Sequence, residues 1–126
     1  MTQGTGIALV KPIREVTLTK PENVGGRKRA FVVPGTVHLG GPEPARTIRW
    51  TNNTGAPVEI WLAAVQHLLK AGPGVNLAKP IPVGTGDNLV VAVKDGVEDC
   101  EYYYHVFCEK IGNFADGNSP PILSCP

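Results

Sequence analysis

An all-β fold is predicted for this chain: a two-sheet antiparallel sandwich of seven or eight short strands with Greek-key connections. Three observations predict it. Short segments alternate apolar and polar residues at the two-residue period of a half-buried strand. Turn formers separate those segments, and the 15 glycines and 12 prolines show no repeat. One stretch alone, 63–71, has helical spacing. An apolar fraction of 42% over 126 residues suits one globular domain, 1–126, rather than a disordered chain.

Segment 14–19 (REVTLT) sets Val16 and Leu18 against polar neighbours and reads as a strand, broken by Pro21 and the Gly25–Gly26 pair. The basic trio Arg27, Lys28 and Arg29 follows, then a strand at 30–33 that Pro34–Gly35 stops. A short strand at 36–39 enters the loop 40–44 (GGPEP). The clearest pair comes next. Ile48 and Trp50 share one face of 47–52, and Val58, Ile60 and Leu62 share one face of 57–62. Asn52-Asn53-Thr54-Gly55 supplies the tight backbone between them.

Segment 63–71 carries Val65, Leu68 and Leu69 at helical spacing. A helix so short needs packing support, and Gly72-Pro73-Gly74 ends it. Segment 75–83 is extended and interrupted by proline, as in an edge strand or loop. Segment 88–94 (NLVVAVK) is the most strand-like run, with Leu89, Val91 and Val93 on one face and Val90 and Ala92 on the other. Asp95–Gly96 turns the chain. In the last long strand, 101–108, Tyr102, Tyr104, Val106 and Cys108 point one way, and Tyr103, His105 and Phe107 the other. A turn-rich segment, 112–120, and a short apolar tail with Ile122 and Leu123 complete the chain.

An aromatic strand ending in Cys108, a loop of turn formers and a returning tail resemble the last hairpin of cupredoxins, the blue-copper β-sandwiches. The strand, Asn-rich turn and Pro-initiated strand at 47–62 are similar to what cupredoxins show around their first histidine ligand. The resemblance covers 47–62 and 89–123 and implies a cupredoxin-like fold. An immunoglobulin-like sandwich shares these short strands and turn signals and stays open as the other topology. Cupredoxins bind copper through two imidazoles and a thiolate in a trigonal set, with a weak axial ligand. The resemblance puts the thiolate at Cys108 and an imidazole at the residue after Pro57, which here is Val58. No histidine follows Cys108, and the single methionine is Met1. A scaffold with no type 1 copper site and no cofactor is therefore expected. The alternative is a copper-binding or electron-transfer protein with a non-standard set of Cys108, His105 and a carboxylate.

His105 and Cys108 stand three apart, which sends them to opposite faces of a strand. An exposed His105 and a buried Cys108 could share an ion only if the strand breaks or bulges there, and their opposed faces argue against a base and nucleophile pair. His38 and His67 lie in separate segments without ligand candidates beside them. Ser119 and Ser124 have no elbow motif, and Gly84-Thr85-Gly86-Asp87 precedes no helix and is no phosphate loop. Asp95, Glu98, Asp99 and Glu101 read as a turn and a solvated strand start, not as carboxylates in opposed environments. No catalytic residue is expected, and the chain reads as non-enzymatic.

Two features remain. If the last strand and the tail pair antiparallel around the 109–120 loop, the chain end returns to the strand's beginning and brings Cys100 near Cys125. Tyr103, Phe107 and Phe114, with Trp61 facing outward, would form an aromatic patch of the kind proteins use to dock on one another. The expected role is that of a binding or interaction module, oligomeric or docked on a partner, with a protein partner or a second copy. A net charge of +1 recruits neither nucleic acid nor an anionic membrane, and no aromatic platform accompanies the basic trio. No run approaches the roughly 20 apolar residues of a membrane span. The first residues show no secretory signal, which points to the cytoplasm, or to the periplasm if a leader was removed.

Overall fold

A computed structural model describes residues 13–40, 44–95, 100–117 and 121–125, the side chains of Cys100 and Cys125 excepted. The loop residues 41–43, Gly96, Glu98, Asp99 and Ser119 lie outside the described residues. In chain order the strands are β1 (Ile13–Leu18), β2 (Glu22–Val24), β3 (Arg27–Arg29), β4 (Val32–Val33), β5 (Thr36–His38), β6 (Thr47–Asn52) and β7 (Val58–Trp61). A 3₁₀ segment, Ala63–Leu68, leads to β8 (Leu69–Lys70), β9 (Ile81–Val83) and β10 (Asn88–Val93). The chain closes with β11 (Cys100–Tyr103), β12 (His105–Cys108), β13 (Asn113–Phe114) and β14 (Ile122–Cys125).

The first sheet has the order β4-β1-β6-β10-β8. Opposite it lie a four-stranded sheet, β13-β12-β7-β9, and a three-stranded one, β11-β14-β5. Strands β11 and β12 are one run interrupted at Tyr104, so the long strand read from the sequence passes from one of these sheets into the other. Strands β2 and β3 form a separate two-stranded ribbon. Its turn, Gly25–Gly26, has φ of 59° and 81°, the left-handed pair that a two-residue hairpin connection needs and glycine adopts without strain.

Strand alternation becomes burial wherever a sheet has one wet face. Val16 and Leu18, Ile48 and Trp50, Val58 and Ile60, and Leu89, Val91 and Val93 all point inward. Tyr104, Val106 and Cys108 lie on the same side as Val58 and Ile60, their layer faces that of Val16, Ile48 and Leu89, and these residues belong to one continuous core. At its centre the Trp50 indole nitrogen donates to the Tyr104 hydroxyl at 3.1 Å, with the rings edge-on at 5.6 Å. Burial pushes the Tyr104 phenol well above its ordinary pKa, so it stays a neutral hydrogen-bond partner.

Several elements differ from the reading of the sequence. Not every pair is antiparallel: β1 runs parallel to β6, and β14 parallel to β5. Residue alternation is the same in both kinds of ladder, so the sequence could not separate them. The helical segment is a 3₁₀ turn that stops at Leu68; Leu69 has extended dihedrals and its strand pairs with β10. Within 75–83 only Ile81–Val83 is a strand. Tyr102 shares the inward face of its rung partner, the buried Leu123, yet stays 39% exposed. Its ring stands edge-on against exposed His67 of the 3₁₀ turn, at 4.7 Å.

Candidate functional site

Cys108 ends β12, and its rung partner on β7 is Val58. Both side chains are buried. The position that would supply the first imidazole of a copper site thus holds an isopropyl group directly across the ladder from the sulfur. After Cys108 the chain turns through Glu109 and Lys110 to Ile111, which packs against the core. His105 lies on the other face of β12, exposed, with its ring against Phe114 at 5.7 Å. Among the described residues no three His, Cys, Asp or Glu side chains gather into a group able to hold a metal ion. This donor set does not fit a type 1 copper centre, which needs a thiolate and two imidazoles around one ion.

The environment of Cys108 also opposes the thiolate itself. Burial raises its pKa from 9.0 to about 11. A group with a raised folded-state pKa holds its proton longer in the native state than in the unfolded one. Its contribution is fully present below about pH 9 and is lost as pH rises through about 11. Urea unfolding of the wild type should therefore show about 1–2 kcal/mol of stability lost between about pH 8 and pH 10.5 that a Cys108→Ala variant does not lose. Equal alkaline losses in the two proteins would contradict this account of the thiol.

The outer face of the four-stranded sheet carries a different constellation. On this face Trp61 stands beside its rung partner His105, and Phe107 stands between Glu59 and Phe114. The Phe114 ring reaches across β12 and makes edge-to-face contacts with Trp61 at 5.1 Å and Phe107 at 5.3 Å. Such geometry sets the positive ring edge on the negative face of its neighbour and rigidifies the group. The Trp61 indole nitrogen is 3.4 Å from a carboxylate oxygen of Glu59. Of the four aromatic residues singled out in the sequence, three meet here; Tyr103 does not. It lies on β11 in the three-stranded sheet, 48% exposed, because the chain breaks its strand at Tyr104. His105 joins the cluster instead. The signal for it was the shared parity of residues 105 and 107, which the sequence displays.

A concavity lies on each side of this ridge. One, of about 230 Å³, is bounded by Arg27, Lys28, His105, Asn113, Phe114 and the Arg29–Asp116 ion pair, whose atoms are 3.1 Å apart. The Asn113 side-chain oxygen is occupied by the Phe114 amide, which leaves its NH₂ as a donor. Arg27 and Lys28 have no acidic partner among the described residues, so this hollow is rich in donors and poor in acceptors. The other, of about 250 Å³, lies between Trp61 and the segment Ala78-Lys79-Pro80 and is mostly apolar.

No protein-family model matches the chain, and no curated protein matches it in sequence. Solved structures do. Over 92% of its length the chain is similar to the blue copper oxidase from Nitrosomonas europaea, with a TM-score of 0.52 at 17% identity. It is similar over the same share to the multicopper oxidase mgLAC, with a TM-score of 0.50 at 17% identity. The chain spans 39% of the length of each. At this identity the likeness is one of fold: the protein is an all-β, cupredoxin-like sandwich.

Proposed function

We propose that the protein is a non-enzymatic binding module that docks a protein partner on the outer face of the β13-β12-β7-β9 sheet. The observation that carries this reading is the rigid ridge of Trp61, Phe107, Phe114 and His105, exposed between a cationic hollow and an apolar one. Exposed aromatic anchors flanked by charge are the composition of a docking face. The charge also selects the partner. Arg27, Lys28 and Lys79 border the face against Glu59 and an Asp116 already paired with Arg29, so an apolar surface studded with carboxylates complements it. A second copy meeting this face across a two-fold axis would bring like charges together, which disfavours a homodimer through it.

Affinity capture from the native host, with the bound protein quantified, tests this. Wild type should retain an acidic partner, the Trp61→Ala/Phe114→Ala double variant should lose at least tenfold, and Arg27→Ala/Lys28→Ala should lose less and remove the salt sensitivity. Capture unchanged in both doubles would end the reading, as would a pure protein that dimerises by light scattering through the same residues. Added Cu(II) should give no intense visible thiolate charge-transfer band. Such a band, abolished by Cys108→Ser, would replace the binding module with an electron-transfer protein.

A further inference from the structure

We infer that Cys100 and Cys125 form a disulfide that ties the C-terminal strand to the start of β11. The inference is independent of the docking face. It rests on backbone register: Cys100 and Cys125 are direct rung partners in the antiparallel β11–β14 ladder. The phase of that ladder follows from its hydrogen bonds. The Tyr104 amide donates to the Pro121 carbonyl at 3.1 Å, so 104 and 121 form a hydrogen-bonded rung. On the far side of β14, the Ile122 amide donates to the Gly35 carbonyl and the Ser124 carbonyl accepts from the Leu39 amide. Residues 122 and 124 therefore turn their backbone groups to β5, whereas 121, 123 and 125 turn theirs to β11. Cys100 and Cys125 occupy a hydrogen-bonded rung.

Cα atoms across such a rung are about 5.5 Å apart, inside the span of about 4.4–6.8 Å that disulfides bridge. In antiparallel ladders generally, opposed Cβ atoms are about 4.5–5.5 Å apart, and a disulfide needs about 3.5–4.5 Å, a small adjustment. This is the last described rung of the ladder, since Cys100 opens β11 and Cys125 closes β14. The remaining cysteine cannot compete: Cys108 is fully buried, in the neighbouring sheet, and a poor thiolate.

Formation needs a disulfide donor, such as oxidised glutathione or a dithiol oxidoreductase. One cysteine thiolate attacks the donor's S–S bond, giving a mixed disulfide and releasing one donor thiolate. The second cysteine thiolate then displaces the other donor sulfur. Two cysteine thiols are oxidised, the donor is reduced to two thiols, and the two protons pass from the cysteines to the donor.

The test is to equilibrate native protein with oxidised and reduced glutathione, denature it without reductant, alkylate it, and map the peptides. The expected result is a mass about 2 Da lower before alkylation, one alkylated cysteine, Cys108, and one linked peptide pair holding Cys100 and Cys125. The Cys108→Ala variant should give the same link with no alkylation. Three alkylated cysteines, a link that includes Cys108, or a link between two chains would overturn the inference. Oxidation under denaturing conditions provides the reference, because all three pairings are then open.

Discussion

Replacing Asn52 with alanine is expected to cost about 3 kcal/mol and to lower the melting temperature by about 10–15 °C. Asn52 and Thr54 are the two buried polar side chains among the described residues. The Asn52 side-chain NH₂ donates to the carbonyls of Ala56 at 2.8 Å and of Val83 and Gly84, each at 3.1 Å. Its carbonyl oxygen accepts from the Thr54 amide at 3.0 Å and the Thr54 hydroxyl at 2.6 Å. One residue thus closes the β6–β7 turn and pins the end of β9 to it. Alanine would remove all of these bonds and leave buried backbone groups unpaired, which costs more than the bonds are worth in water. Asn52→Asp separates hydrogen bonding from volume, because it is isosteric but aims a carboxylate at three carbonyl oxygens. The proton that relieves this repulsion binds more tightly in the folded protein. The variant should therefore be at least as unstable as alanine at neutral pH and should recover as pH falls. Chemical unfolding at two pH values checks both variants, and a loss below about 1 kcal/mol in Asn52→Ala would show that the network adds little.

Trp50→Ala should cost about 3–5 kcal/mol, the range for emptying a fully buried aromatic site. Trp50 is fully buried between the layers, where its removal opens a cavity and leaves the Tyr104 hydroxyl without its indole donor. Tyr104→Phe keeps the volume and orphans the indole N–H instead, so about 1–2 kcal/mol is expected. Because each single change already breaks the shared bond, the pair should be non-additive by about 1 kcal/mol or more in a double-mutant cycle measured by urea unfolding. Strict additivity would mean that the bond contributes nothing to the junction where β11 passes into β12.

The proposed docking face and this interior depend on different residues, and the same measurements separate them. Trp61→Ala and Phe114→Ala remove rings that are 37% and 39% exposed, so they should disturb docking far more than folding. Arg27 and Lys28, read in the sequence as a solvated strand edge, do stand in solvent, yet the ribbon carries them to the rim of a hollow beside the ridge.

Alternation along each strand was legible from residues alone: Val16 with Leu18, Ile48 with Trp50, and Tyr104 with Val106 and Cys108 all point where their period sends them. The occupation of a ligand position by Val58 was legible in the same way, because it needs only a motif and a residue name. Which strands lie beside one another was not, except for the return of the tail to β11, which sets Cys100 opposite Cys125. The parallel pairing of β1 with β6, the reach of Phe114 across β12 to Trp61 and the separation of Tyr103 from that cluster belong to the assembled fold. The period of a strand is written into residues two apart, whereas register is set by contacts between segments tens of residues apart. Only when both layers close on the core do those distant contacts take one arrangement.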